Sequence, residues 1–369
     1  MNRTRTCIPR KLFSIAHQNE TRAPSSRRLF NAVSCSRTST PIHYPLRRIN
    51  PAIIRSNSSS SATTTNATWM HFKADVDSAD IYAFLEPQTS SWQYIIADPV
   101  SLEAAVIDPV LDYNPASGAL ATTAADHLLA FIAEKGLEVL RILETHAHAD
   151  HLSASQYLKK MLGGDVPICI GERIKSLQDH FAAMYGFTST DFVESFDIFL
   201  KDEEEFQLGS NILCKVVHLP GHTPDHIGFV VGKAVFVGDS IFMPDLGSAR
   251  TDFPGGNAKD LFSSMNRLLS LPKDYQLFVG HDYPSAGRQH ECMATVGVHR
   301  EENKHGKLGT TEDEFIEFRE ARNKVLGAPR LLHPSLQVNI RAGKLPPASE
   351  NRVWLKTPTR LANPEIPVS

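Results

Sequence analysis

Four metal-ligand side chains fall within six consecutive residues of the segment Thr145–His151, which has the sequence THAHADH. An apolar, strand-like run precedes this segment, and a helix-like run follows it. Side chains two apart in an extended chain point the same way, so His146, His148 and Asp150 are predicted to face one point. His151 follows at the turn into the helix and is predicted to face a neighbouring point. Core packing does not require these residues at this spacing, and the segment therefore predicts a metal site.

Three later strand-like runs end in a similar way, with a glycine just before a metal-ligand side chain. They present His222 in PGHT, Asp239 in GDS and His281 in GHD. Glycine lets the backbone turn sharply and approach a metal closely. An open metal site takes its ligands from several loops of a rigid scaffold, so these three units are predicted to complete the site.

The four units in this order resemble the metallo-β-lactamase superfamily, over roughly residues 70 to 345. The resemblance implies an α+β fold, an αββα sandwich in which two mixed sheets lie face to face with helices outside and the metal at one edge. Asp239 bridges the metals in two-metal members. His226 is expected to brace the site without binding metal, and His218 and His180 are expected to be ordinary residues. The residues that the resemblance assigns to the metal site are His146, His148, Asp150, His151, His222, Asp239 and His281.

Three stretches are similar to one family within this superfamily, the persulfide dioxygenases (sulfur dioxygenases, the ethylmalonic-encephalopathy protein family). They are the alanines between the ligands of HAHADH, the stretch GSARTDF at 247–253, and QVNIRAG at 337–343. Ser248 and Ala249 replace a Cys and a Gly of the family, and the surrounding sequence resembles a bacterial-type subgroup described as β-lactamase-like hydrolases. The resemblance implies that glutathione persulfide is oxidised by O2 to sulfite and glutathione.

On this alignment, the resemblance implies one Fe(2+) per subunit, held by the catalytic residues His146, His222 and Asp239. Two histidines and one carboxylate hold Fe(II) on one face and leave positions open for substrate. The alternative is a hydrolase of the glyoxalase II type with two metals, Zn(2+) among them, whose activated water attacks a glutathione thioester. The remaining members of the set are then neighbours of the iron or ligands of a second metal: His148, Asp150, His151 and His281.

Three residues are predicted to contact the substrate. Arg250 carries a planar guanidinium that pairs bidentately with a carboxylate such as those of glutathione. Its alternative role is an ordinary ion pair within a loop. Tyr283 follows the GHD turn and Asn339 lies in the C-terminal stretch, and both resemble family positions near the glutathione site.

The amino-terminal segment differs in composition from the rest of the chain. Through Met70 it contains eleven Lys or Arg against the single acid Glu20, a net charge of +10, whereas the whole chain carries −3. Such an Arg-rich, Ser-rich and acid-poor composition is typical of a mitochondrial transit peptide. We therefore expect a transit peptide or disordered segment at 1–65, the catalytic domain at 70–345, a C-terminal tail at 346–369, and a location in the mitochondrial matrix.

The remainder of the chain is acidic, which argues against nucleic-acid binding. No apolar run approaches the roughly 20 residues that a membrane span needs. The five cysteines form no CxxC motif, which fits a reducing compartment. The sequence leaves the oligomeric state open, a homodimer included.

Overall fold

Two large β-sheets form the centre of the protein. The structure is a computed structural model that describes residues 69–72 and 78–359, so the predicted transit segment at 1–65 lies outside the described residues. The strands of the described part, in chain order, are β1 (Trp69–Phe72), β2 (Asp80–Glu86), β3 (Ser91–Ala97), β4 (Glu103–Ile107), β5 (Val110–Asn114), β6 (Ala119–Ala121), β7 (Glu138–Leu143), β8 (Leu152–Ser153), β9 (Ile168–Gly171), β10 (Ile198–Leu200), β11 (Glu205–Leu208), β12 (Ile212–His218), β13 (Ile227–Val231), β14 (Ala234–Gly238), β15 (Gln276–Val279) and β16 (Met293–Thr295).

Helices cover the outer faces of these sheets. They are α1 (Thr123–Lys135), α2 (Ser155–Met161), α3 (Ile174–Tyr185), α4 (Ala258–Leu269), α5 (Val296–Glu302), α6 (Glu312–Asn323) and α7 (Leu332–Asn339), with a 3-10 turn at Ser189–Phe192. Each described helix is at most 13 residues long, and we find none among them that could cross a membrane.

Both large sheets are mixed. The first has the strand order β1-β2-β3-β4-β7-β9-β10 and is antiparallel as far as β4 and parallel from there. The second has the order β11-β12-β13-β14-β15-β16, with β14 and β15 as its parallel pair. A small third sheet, β6-β5-β8, joins the chain before α1 to the chain just after the THAHADH segment.

The alternation of side chains along the strands accounts for the layers. In β3, Tyr94 and Ile96 point into the core between the two sheets, while Ile95 and Ala97 point to the core under α1, α2, α3 and α7. Tyr94 meets Phe236 of the second sheet with ring centroids 5.0 Å apart. On the far side of the second sheet, Leu261 of α4 is fully buried, and such a side chain contributes about 1.5–3 kcal/mol to stability. The predicted αββα sandwich is therefore confirmed.

Local sequence patterns account for several of these elements. Apolar residues at helical spacing in 124–135 and 258–270 are typical of helices, and these residues form α1 and α4. Thr311 caps α6 by accepting a hydrogen bond from the backbone N–H of Glu314, and the Glu314 carboxylate accepts from Thr311 N–H in return, which forms a capping box. Part of the predicted C-terminal tail is attached to the domain, because the backbone N–H of Lys356 donates to the side-chain oxygen of Gln337 on α7.

Candidate metal centre

The predicted metal ligands come together from four chain segments, each of which follows a strand. The THAHADH segment follows β7, and His222 lies shortly after β12. Asp239 follows β14 directly, and His281 lies two residues after β15. The parallel pair β14–β15 brings Asp239 and His281 to the same edge of the second sheet. A backbone hydrogen bond of 2.8 Å from Ile227 N–H to Thr145 O ties this edge to the first sheet.

Glycine is required where β14 ends. Gly238 has φ +45°, and a Cβ at this position would lie 2.7 Å from both the His226 Nε2 and the Thr145 Oγ1 atoms. A Cβ on Gly280 would lie 2.8 Å from an oxygen of Asp239. The expectation that glycines admit close approach at the site is confirmed at these two positions.

His146, His222 and Asp239 form one group. Their ligand atoms all lie within 4.8 Å of one another, and the three residues are buried. The Nε2 atom of His222 is 3.7 Å from an Asp239 oxygen, and the rings of His146 and His222 are nearly perpendicular, with centroids 5.0 Å apart. Two imidazoles and one carboxylate thus face a common point.

A second group lies beside the first and consists of His148, Asp150, His151 and His281. The His281 Nε2 atom lies 3.1 Å from one oxygen of Asp150 and 3.5 Å from one oxygen of Asp239. Since the other Asp239 oxygen faces His222, Asp239 stands between the two groups.

The division of the ligands differs from the expectation based on extended-chain geometry. His146, His148 and Asp150 were expected to face one point, but His148 and Asp150 belong to the second group. The physical reason is that β7 ends at Leu143, so the following segment does not keep the two-residue alternation of a strand. The two groups match the division that the family resemblance implies, while the occupancy of each group stays a prediction.

A chain of hydrogen bonds sets the orientation of His146. The Thr145 hydroxyl donates to Asp108 over 2.8 Å, so it accepts from the Nδ1–H of His146 over 2.9 Å. Asp108 also accepts from the backbone N–H of Thr145 over 2.7 Å. Burial lowers the pKa of His146 well below its usual value, so the ring is neutral near pH 7. The His146 Nε2 atom is therefore left as a lone pair that faces the other ligands.

Hydrogen bonds also hold the other two members of the first group, His222 and Asp239. The Nδ1–H of His222 donates to the carbonyl oxygen of Arg250 over 2.8 Å, which leaves Nε2 free for a metal. The backbone N–H of Asp239 donates to the Nε2 atom of His226 over 2.9 Å. His226 therefore braces Asp239, and its Nε2 atom is used as an acceptor.

Two buried carboxylates surround His148. Its Nε2 atom lies 3.1 Å from an oxygen of Asp108 and 3.5 Å from an oxygen of Glu144. Burial alone would lower the pKa of His148, but the charge of Asp108 raises it well above its usual value. The second oxygen of Glu144 accepts from the Ser155 hydroxyl over 2.5 Å, so this carboxylate also ties the ligand segment to α2.

The site fits a metal ion by the chemistry of its unpaired atoms. The buried His146 Nε2 atom and one oxygen of Asp239 have no hydrogen-bond partner, and His281 Nε2 and one oxygen of Asp150 have only ion-pair contacts, among them the one with each other. Leaving a buried polar atom unpaired costs about 1–3 kcal/mol. Imidazole nitrogens and carboxylate oxygens are ligands for zinc and iron, so a bound cation would relieve this cost.

The guanidinium of Arg250 lies in a loop beside the first group and is already partly engaged. Its Nε and Nη2 atoms donate to the two oxygens of Asp252 at 2.6 Å each, and Nη1 donates to Gly327 O at 2.9 Å. A guanidinium has five N–H donors, so two remain for a further acceptor. The ion pair of the alternative interpretation is thus present, and the contact of Arg250 with substrate stays a prediction.

Tyr283 and Asn339 take different positions around the site. The ring of Tyr283 is stacked on that of His281, with centroids 5.7 Å apart, and 47% of the residue is exposed. Asn339 is buried behind the ligand segment, where its NH2 group donates to the carbonyl oxygens of His148 and His151 and its oxygen accepts from Ser153 N–H. Asn339 thus holds the ligand segment from behind, and its contact with substrate stays a prediction.

Several residues of the site were missed by the sequence analysis. Thr145 and Glu144 immediately precede the first ligands, and Asp225, in PGHTPDH, accepts from the backbone N–H of Ala147 over 2.9 Å. Their signal was the presence of polar residues next to a ligand motif in otherwise apolar surroundings. Arg319 gave no local signal, although it is buried near the Arg250 loop.

A two-sheet sandwich with a buried group of histidines and aspartates at one edge defines a class of metal-dependent enzymes. The family model for the metallo-β-lactamase superfamily matches residues 88–281, which is more than half of the chain. The chain belongs to the metallo-β-lactamase superfamily. It is 43% identical over 293 residues to a beta-lactamase hydrolase-like protein of Xylella fastidiosa (strain 9a5c), a match that covers 79% of this chain and 67% of the relative.

Relatives named for another activity are more distant. The mitochondrial persulfide dioxygenase ETHE1 of Homo sapiens is 27% identical, over 72% of this chain and 89% of that protein. The crystal structure of ETHE1 from Myxococcus xanthus is similar with a TM-score of 0.57 and 27% identity, and the match covers 72% of this chain and 99% of that one.

The hydrogen-bond chain through Thr145 leads to the first prediction. Replacing Thr145 by Val keeps the shape but leaves His146 Nδ1 and an oxygen of Asp108 unpaired. Loss of such a partner of a ligand typically weakens metal binding about 10- to 100-fold, and we expect Thr145→Val to fall in that range in a chelator competition with Zn2+. Thr357→Val, at an exposed position, is the control. Equal affinity of Thr145→Val and the wild type would contradict this role.

Proposed function

We propose that the protein is a glutathione-dependent persulfide dioxygenase with one iron bound by His146, His222 and Asp239. The observation that carries the proposal is the separation of these three residues from the second group as a set of two imidazoles and one carboxylate. This donor set is typical of non-haem Fe(II) oxygenases. The similarity to a human protein named persulfide dioxygenase supports the same reaction.

The reaction balances with one persulfide, one dioxygen and one water, which give one thiol and one sulfite. When bound, iron supplies the redox chemistry that dioxygen needs. The protein aims the ligand atoms at one point, through the Thr145 hydroxyl, the Arg250 carbonyl and the His226 ring. The ring of Phe253 packs against that of His222, with centroids 5.1 Å apart and the ring planes nearly perpendicular.

A second function is favoured by one specific observation. Asp239 directs one oxygen to His222 and the other to His281, which is the arrangement that a bridging carboxylate needs between two metals. The second group also contains enough ligands for a metal of its own. A glutathione thioester hydrolase with two metals is therefore the alternative, in line with the name of the hydrolase-like relative.

Oxygen consumption distinguishes the two functions. We expect the iron-loaded protein to take up O2 when it is given glutathione persulfide, and to form sulfite. His222→Ala should abolish the uptake because it removes a ligand, whereas His180→Ala, at an exposed position on α3, should leave it unchanged. Absence of uptake together with release of thiol from S-lactoylglutathione would reject the dioxygenase in favour of the hydrolase.

The proposed role of Arg250 is to bind a carboxylate of glutathione through its two remaining N–H donors. A hydrogen bond between charged groups contributes about 1.5–3 kcal/mol, and Asp252 already shares the charge. We therefore expect Arg250→Ala to raise the half-saturating persulfide concentration about tenfold while the iron content stays normal, because the backbone carbonyl that orients His222 remains. Arg322→Ala, an exposed arginine, is the control. An unchanged dependence on persulfide would remove Arg250 from the substrate site.

The proposed location is the mitochondrial matrix. The support is the basic, acid-poor composition of the first 70 residues. A fluorescent reporter fused to residues 1–69 is expected to enter mitochondria. The same fusion with its arginines replaced by glutamine should remain in the cytosol. Cytosolic fluorescence from the unchanged fusion would contradict the proposal.

A further inference from the structure

The loop that orients His222 is held by a distant part of the chain. This loop, residues 247–252, carries the Arg250 carbonyl that accepts from His222 Nδ1–H. Residues 303–327, which we call the brace, contain α6 and the chain on both sides of it. The brace contacts the loop both before and after Arg250.

The central contact of the brace is made by Arg319. Its side chain is buried, and its Nη1 atom donates to the carbonyl oxygens of Ser248 and Ala249 over 3.2 and 3.0 Å. Its Nε atom donates to Asn323 over 3.0 Å, and Asn323 in turn donates to the Thr251 hydroxyl over 2.9 Å. Arg319 and Asn323 are one helical turn apart, so both reach the loop from one face of α6.

Further contacts fix the remainder of the loop. The Nδ1 atom of His305 accepts from the backbone N–H of Ser248 over 2.9 Å, and its ring packs on Phe318 of α6. Asn303 donates to Gly247 O over 3.2 Å, and Gly327 O accepts from the Arg250 guanidinium over 2.9 Å. The backbone and the side chain of Arg250 are therefore both restrained by the brace.

Burying the charged side chain of Arg319 costs free energy that a purely structural contact would not require. Burial lowers its pKa to about 10, and its hydrogen bonds go to two backbone carbonyls and one amide. A methionine or leucine could fill the same volume without burying a charge. The charge instead orders two carbonyl groups just before Arg250, whose own carbonyl oxygen orients a metal ligand.

We propose that Arg319, together with Asn323, is a positioning residue of the metal centre, which acts through the loop and the Arg250 carbonyl to aim His222 Nε2. The inference rests on the proposed metal centre but not on the identity of the reaction. Helix α6 thus supports the metal centre through the loop, although no residue of α6 belongs to either ligand group.

The test is the affinity of the full-length protein for Zn2+, measured by competition with a chromophoric chelator. Arg319→Met is expected to bind Zn2+ about tenfold more weakly, at the low end of the loss seen for residues around metal ligands. Arg319→Lys should restore part of the affinity because it keeps one donor. Arg322→Met, on the exposed side of the same helix, should bind as the wild type does.

A second variant keeps the test decisive if Arg319→Met does not fold. Asn323→Leu changes a half-buried residue and removes the contact with Thr251, and it is expected to weaken Zn2+ binding severalfold. The visible spectrum of the Co2+-loaded variants should differ from that of the wild type, because the ligand geometry changes. A purely structural role would lower the melting temperature without either change.

The outcomes separate this inference from the proposed function. Wild-type affinity and an unchanged Co2+ spectrum in folded Arg319→Met or Asn323→Leu would overturn the positioning role. If His222→Ala bound Zn2+ as tightly as the wild type, the assignment of His146, His222 and Asp239 as a metal-binding group would be wrong. Weakened binding in the brace variants and in His222→Ala, but not in Arg322→Met, is the result we expect.

Discussion

Burial of unpaired ligand atoms is the constraint on which this structure depends. The ligand-bearing side chains are nearly all buried at the edge where the two sheets meet, and several of their polar atoms have no partner within the protein. Such an arrangement is stable only if the remaining atoms of each ligand are held firmly and if a cation completes the site. The surroundings meet the first condition. The Thr145 hydroxyl, the Arg250 carbonyl and the His226 ring each hold one member of the first group.

The supports of the site come from both sheets and from two C-terminal segments. Asp108 follows the first sheet's β4 and holds Thr145, while Asn339 at the end of α7 holds the ligand segment from behind. The brace holds the loop that orients His222. Asp239 faces both groups, with one oxygen toward His222 and the other toward His281, so it links the two sets of ligand atoms.

Much of the fold, and which residues gather at the candidate site, could be predicted from the sequence, since both depend on local patterns. Strand-like runs that end in glycine and a candidate ligand predicted the edge of the sandwich, and the sequence TEDE, from Thr311 to Glu314, forms the capping box that starts α6. The split between His146 and His148 could not be predicted from spacing, because the chain leaves strand geometry at Leu143. Arg319 was missed for a different reason. Its partners lie about 70 residues earlier in the chain, and only the packing of α6 brings them together.

The number of irons bound per chain tests the central claim most directly. The protein would be loaded with Fe2+ without oxygen and freed of unbound metal, and iron would then be measured against protein concentration. A single site made of His146, His222 and Asp239 predicts one iron per chain, lost in His146→Ala and retained in His281→Ala. Two irons per chain, with one of them lost in His281→Ala, would contradict the single-iron centre.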